Sequence, residues 1–468
     1  MFPPAASPFR LKNAHVPRSL LPNRNWPDPD PFAARENLVL VDLEIVDGRV
    51  RSLCAAGTNS IEPSSPTTTD IDLKRGIVLP CFADLHTHLD KGHFWARSPN
   101  RSGSFEEALA QVAADSSQHW NGEDVYRRME FSLKCAYAQG TQAIRTHIDS
   151  YGEQAAISLG ALKTLQAQWR DRLTIQAVSL IPIDYFMTPA GEKLADLFAQ
   201  FDGGKLGGLT LMNADLTAQL DRLFALAKDR DLDLDFHVDE SGNPNDITLQ
   251  YIAEATLRHG YEGRVVCGHC CSLAVQSHDV AQRSIALVRQ AQIGIVSLPM
   301  CNLYLQDRNQ AASSQFTQNG EKLHRSNFPT HTPRWRGITL IHEFKHSGVP
   351  VAVASDNCRD PFYTFGNLDG LEVLTQATRI AHLESPYGDW CRTITQTPAD
   401  LMKLPTIGRI DVGLGADLVL CKARYFSELF SRPQSDRVVL RQGKAIDTAL
   451  PDYAELDDLL LPAQRSTA

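Results

Sequence analysis

Hydrophobic and polar positions along the chain fall into two textures. From Leu38 to Leu53 the run LVLVDLEIVDGRVRSL sets short β-branched stretches on either side of Asp47-Gly48, the dipeptide that suits a tight hairpin turn. GRIDVGLGADLVL and DRVVLRQGKAID repeat this texture near the C-terminus. Between them the pattern alternates. TQAIRTHID, LTIQAVSLI, KLGGLTLM, LDLDFHV, GRVVCGH, IGIVSLP and VPVAVASD read as buried strands, with helix-compatible segments such as LTAQLDRLFALAKDR and ITLQYIAEATLRHG between them. Ser104 and Glu107 predict a capping box ahead of ALAQVAA, and GEDVYRRMEFSLKCAYAQG predicts an amphipathic helix that stops at Gly140. About eight strand–helix repeats argue for parallel strands closed on themselves. The expected fold class is therefore α/β: a (β/α)8 TIM barrel over residues 76–404, with a small β-sandwich domain formed by the terminal segments 1–75 and 405–468. The long stretch from Asp307 to Arg334 is expected to form a lid at the barrel mouth.

Composition narrows the class without changing this outline. Of 468 residues 43% are hydrophobic and 22% charged, ordinary values for a soluble globular protein, which excludes a disordered or collagen-like chain. Lys and Arg number 46 against 55 Asp and Glu, a net charge of −9 that gives no electrostatic case for nucleic acid, so a small molecule is the expected partner. The ten cysteines are scattered singly apart from Cys270-Cys271, which is consistent with reduced thiols and a cytoplasmic location. Pro3, Pro4 and Pro8 break the N-terminal segment, and no stretch approaches the roughly 20 apolar residues of a membrane span, so neither a leader nor membrane attachment is expected.

The chemistry sits where the strands end. His86 and His88 follow FADL, His147 follows AIRT, His237 follows LDLDF, His269 follows RVVCG and Asp356 follows VAVAS. In a parallel barrel those ends converge on one rim. Any one of these histidines alone reads as a hydrogen-bonded core residue; several strand ends carrying such groups together read as a site. His86-Thr87-His88 has the i, i+2 spacing that turns both imidazoles to one side of a strand, and a later His with Asp356 completes a nitrogen and oxygen set suited to Zn²⁺ or Fe²⁺. A metal so held lowers the pKa of its water to about 7. Glu240, just past His237, is placed to carry protons, and His269 to orient the water or stabilise a tetrahedral intermediate. Asp239 reads as a solvated loop charge, and Lys91 and Trp95 as supports of the rim.

Taken together, LPCFADLHTHLDK, RTHID, HVDE, GH and SDN resemble the amidohydrolase superfamily, and specifically its cytosine deaminase-like branch. KNAHVP and DGRV at the start and VGLGADLVL and GKAID at the end extend the resemblance over nearly the whole chain. It implies a barrel with a split β domain, and one catalytic divalent metal ion, Zn²⁺ or Fe²⁺, held by His86, His88, His237 and Asp356. It further implies Glu240 as the acid and base that protonates the substrate ring, His269 as the residue that positions hydroxide, and Asp356 as the carrier of a proton to the departing amine. Two-metal members of the superfamily have a bridging lysine at the end of the fourth strand; here that strand ends LTLMNAD and Lys205 stands at its beginning, which favours one metal.

The implied activity is hydrolytic deamination of a cytosine-like nucleobase, cytosine or a 5-substituted cytosine, with water attacking an amidine carbon and ammonia leaving. Three alternatives stand beside it. The run from Ser355 to Asn367 also resembles N-alkylamino-s-triazine (ammelide-type) amidohydrolases; the others are a two-metal cyclic amide hydrolase and a non-catalytic barrel scaffold. Two positions depart from the cytosine deaminase pattern. SLIPIDYF places Pro182 or Ile183 where those enzymes carry a base-reading glutamine, and Asn357 follows the metal aspartate in place of a second aspartate. Substrate reading is accordingly expected from Ile183, Asp184, Asn302 and Asn357, with Gln306 and Arg359 as further candidates and Leu180, Ile181 and Ile183 giving an apolar wall. The resemblance also carries an expectation of a homo-oligomer.

Overall fold

The computed structural model describes residues 7–27, 31–58, 65, 68–308, 332–385 and 387–460. Eight strands pair in chain order: Phe82–Thr87, Thr141–Asp149, Thr174–Leu180, Gly204–Leu209, Leu234–Val238, Val265–His269, Gly294–Ser297 and Val351–Val353. The pairings are parallel, and a parallel bridge between Thr87 and Asp356 brings the last strand back to the first. Strands such as Leu234–Val238 and Val265–His269 are buried at every position, as a parallel sheet covered by helices on one face and filled with side chains on the other requires. This is the TIM barrel expected from the alternating pattern.

Local signals explain the helices around it. The helix Gly122–Gln139 starts where the Asn121 side chain accepts the amide hydrogens of Glu123 and Asp124. It stops at Gly140, whose φ of 101° only glycine adopts readily and whose added Cβ would lie 2.7 Å from Val419 Cγ2. The helix Phe105–His119 has half of the expected capping box. Ser104 accepts from the Glu107 amide, but the Glu107 carboxylate takes the amides of Arg101 and Ser102 in place of the Ser104 amide.

The two ends of the chain build two further four-stranded sheets. One runs Arg49–Ala55, Leu38–Val46, Phe9–Pro17, Thr69–Asp72, with the hairpin turn at Asp47 and Gly48 in left-handed conformation. The other runs Lys444–Ala445, Val438–Arg441, Leu418–Leu420, Val78–Pro80. Leu11, Val41, Leu43, Val78, Leu418 and Leu440 fill a single apolar layer from both. Two placements differ from a simple three-segment reading. Val78–Pro80 pairs with Leu418–Leu420, and the C-terminal turns at 453–460 return to the barrel, where Arg127 binds Asp458 and Lys134 binds Glu455. Of the stretch expected as a lid, residues 309–331 lie outside the described residues; its flanks meet where Asp307 accepts the amides of Arg334 and Trp335. All ten cysteines are free. Among the described residues no helix is long and apolar enough to cross a membrane.

Candidate active site

Barrel closure collects the strand-end residues into one buried cluster. His86 Nε2 lies 3.2 Å from His237 Nε2, His237 Nε2 lies 3.3 Å from His88 Nε2, and Asp356 Oδ1 lies 3.1 Å from His88 Nε2 and 3.6 Å from His86 Nε2. Donors around one ion at roughly 2.0–2.1 Å stand about 2.9–3.6 Å from each other for angles between 90° and 120°, and these four separations lie in that range. The protonation states agree. Burial first, and then neighbouring imidazoles and Lys91, push His86, His88 and His237 well below the ordinary histidine range, so each presents a lone pair, as a ligand must. Burial pushes the Asp356 carboxyl up to about 7, which is the cost of an anion kept from water without a cation beside it. Both Asp356 oxygens lack a hydrogen-bond partner among the described residues. These observations fit a divalent cation. His147 flanks the set, its ring 4.0 Å from that of His86, above the buried Arg145–Asp235 ion pair. Lys205 lies at the opposite end of the barrel beside Asp233, away from the cluster.

The residues that follow the ligand strands leave them abruptly. Asp239, His269 and Asp356 have φ of 47°, 68° and 64°, a conformation that costs a non-glycine residue on the order of 1–2 kcal/mol and turns the chain off the strand axis. Asp239 is not the solvated charge expected. It is buried, accepting the amide and hydroxyl of Thr248 at 2.9 and 2.7 Å and the amide of Leu249 at 3.1 Å, so it caps the next helix and anchors the turn that carries Glu240. Glu240 lines the cavity, and burial, with Asp356 adding to it, raises its carboxyl well above the usual range. His269 is held near 3 by burial, so its ring is neutral.

A cavity of about 650 Å³ opens above the cluster. His88, His237, Glu240, His269 and Asp356 form its floor; Leu180, Ile181, Leu209 and Phe362 form one wall. The helix Phe105–His119 completes the lining through Phe105, Leu109 and Val112, continued by Trp120, with the Phe105 ring edge-on to Phe362 at 5.4 Å between centres. That helix is fixed by Asp115, which pairs with Arg97 and accepts the Trp120 indole hydrogen at 2.8 Å. Lys91 is buried, its Nζ is 2.9 Å from Asp149 Oδ1 and 5.1 Å from the centre of the Phe362 ring, and both Lys91 and Asp149 line the cavity. Trp95 stays half-buried, its amide bound to the Arg359 carbonyl.

The four residues expected to read the substrate separate. Asn357 lines the cavity and donates to Asp360 Oδ2 at 2.7 Å. Asn302 is buried behind the wall, its Nδ2 3.1 Å from Glu240 Oε1 and 3.0 Å from His269 Nδ1. Ile183 and Asp184 do not reach the cavity: after Leu180 the chain turns into the 3₁₀ segment Ile183–Met187, which packs Ile183 against Gly208 and exposes Asp184, leaving Ile181 and Pro182 on the wall. Asp149 was missed, although the alternation that pairs His86 with His88 also puts it on the side of His147.

A model described as "Amidohydrolase family" matches residues 190–446. A pterin deaminase of Rhizobium rhizogenes (strain K84 / ATCC BAA-868) is 46% identical over 460 residues, covering 98% of each chain. The N-isopropylammelide isopropyl amidohydrolase of Pseudomonas sp. (strain ADP) is 24% identical over 364 residues, 75% of this chain and 81% of its own. Among solved structures, the 5-methylcytosine deaminase from Klebsiella pneumoniae liganded with 5-fluorocytosine superposes with a TM-score of 0.75 at 22% identity, covering 93% of this chain and 97% of that one, a likeness of fold. The family match over more than half the chain, the full-length relative and the cluster of histidines and aspartate at the barrel's strand ends agree: the chain belongs to the amidohydrolase family.

Proposed function

We propose that this protein is a metal-dependent hydrolytic deaminase of the pterin ring, converting the 2-amino-4-oxopteridine to the 2,4-dioxo product with release of ammonia. The observation that carries the reading is the 46% identity to a pterin deaminase over 98% of both chains. The site supports it. The cavity is larger than a single pyrimidine ring fills, its walls are apolar and aromatic, and neither Pro182 nor Ile183, the candidates for the place of the base-reading glutamine of cytosine deaminases, is a glutamine. A pterin therefore takes the place of the cytosine-like base expected from sequence.

His86, His88, His237 and Asp356 would hold one divalent ion, Zn²⁺ or Fe²⁺. Such an ion supplies a Lewis acid and a water that ionises near neutral pH. Glu240 would take a proton from the attacking water and return it to the ring nitrogen beside the amino-bearing carbon; its raised proton affinity suits a group that must take a proton and return it. His269 faces the developing oxyanion from the next strand. Asp356 carries the second proton to the amine, so that the carbon–nitrogen bond breaks with ammonia leaving. Lys91 and Asp149 present one donor and one acceptor at the wall, a pair matched to the alternating donors and acceptors of a pterin edge.

Ammonia release from pterin, cytosine, 5-methylcytosine and N-isopropylammelide, measured on protein of known metal content, tests the proposal. Pterin is expected to have the highest kcat/KM. Metal-loaded protein that leaves pterin untouched, or prefers cytosine, overturns it.

A further inference from the structure

Asn302 stands in the helix Pro299–Leu305 that follows the seventh barrel strand, 1% exposed, and touches two residues of the reacting site with one atom. Its Nδ2 is 3.1 Å from Glu240 Oε1 and 3.0 Å from His269 Nδ1. An amide nitrogen only donates and an ionised carboxylate only accepts. With Glu240 ionised, as its role as the base requires, this contact fixes which way the amide faces, because turning it over would set a carbonyl oxygen against a carboxylate oxygen. With the nitrogen so fixed, its second hydrogen meets His269 Nδ1, which must accept it. A neutral imidazole that accepts at Nδ1 carries its own hydrogen at Nε2.

We infer that Asn302 is a positioning residue that holds His269 in the Nε2–H tautomer, making His269 a hydrogen-bond donor toward the reacting centre and not a base. His269 Nε2 is buried and has no partner among the described residues, and its ring lies 5.0 Å from that of the metal-site residue His237. The direct approach of His269 Nδ1 to Glu240 Oε1 is longer, 3.4 Å; a hydrogen on Nδ1 pointing that way would also face the Asn302 amide hydrogen at the shorter contact. Asn302 thus leaves Glu240 as the site's base and His269 as its donor, two roles that an unguided imidazole beside a carboxylate would blur. Both the tautomer and its catalytic consequence rest on the reading of Glu240 as the ionised base; the substrate does not enter the argument for the tautomer.

Two-bond ¹H–¹⁵N correlation spectra of zinc-loaded protein labelled with ¹⁵N-histidine read the tautomer, with His269 assigned by the signal lost in His269→Gln. The wild type is expected to show Nδ1 bare and Nε2 protonated. Asn302→Asp, which puts an acceptor against Nδ1, is expected to reverse the tautomer and to lower kcat tenfold or more with KM within about twofold, since Asn302 does not line the cavity. Protonated Nδ1 in the wild type overturns the inference, as does an Asn302→Asp enzyme with unchanged tautomer and kcat. If that variant does not fold, the wild-type spectrum alone decides. Wild-type Nε2–H with no pterin turnover supports the inference and counts against the substrate.

Discussion

Glu240→Gln separates proton transfer from metal binding, and the structure assigns it opposite effects on rate and on stability. Glu240 supplies none of the four converging donors, so the variant is expected to keep its metal. Glutamine matches the length of glutamate, and its carbonyl oxygen still accepts from Asn302 Nδ2. What is lost is the group that takes and returns a proton. General acid–base catalysis is worth roughly 10²- to 10⁴-fold, so kcat should fall by about 3–5 kcal/mol in barrier with KM little changed. Stability should move the other way. Burial and Asp356 raise the Glu240 pKa above its unfolded value, so at neutral pH the unfolded chain ionises this group more readily than the folded one, and folding carries that cost. The neutral amide removes it, and Tm is expected to rise. Steady-state kinetics on pterin, metal analysis and calorimetry of the same preparation check all three. Undiminished kcat, or loss of the metal, refutes the reasoning.

Chelation should lower Tm: a ligand at about 1,000 times its Kd stabilises by about 4 kcal/mol, and calorimetry with and without one equivalent of Zn²⁺ measures the difference. Asp149→Asn strands Lys91 at the cavity wall; because Asp90 and Asp360 also face that lysine, the loss of stability should be less than the about 3–5 kcal/mol of a fully unpaired buried charge, while KM for pterin rises severalfold. Glu240 works as a base only when ionised, and its pKa is raised, so kcat/KM should fall on the acid side with an apparent pKa above 4.5; a profile flat to pH 5 would contradict the assignment.

The barrel and its metal-capable rim were legible because both follow from simple periodicities. Short apolar runs separated by helical segments give parallel strands, and the last polar residue of each run falls on one rim; His86, His88, His237 and Asp356 could be named on that ground and on resemblance alone. What depended on three-dimensional neighbours was not legible. Asp239 reads as a loop charge until Thr248 and Leu249 turn their amides onto it. Ile183 reads as a wall residue until the 3₁₀ turn after Leu180 points it elsewhere. The wall formed by the helix Phe105–His119 is set by Asp115 gripping Arg97 and Trp120, a docking that no periodicity announces. Asn302 was selected from the sequence for substrate, yet its partners, 62 and 33 residues away, make it part of the support behind Glu240 and His269.

The most direct test of the account is a turnover of pterin in H₂¹⁸O by protein carrying one equivalent of Zn²⁺. The account predicts one ammonia per ring and a dioxo product bearing a single ¹⁸O at the carbon that lost its amine. Metal-loaded enzyme that yields no labelled dioxo product from pterin would contradict it.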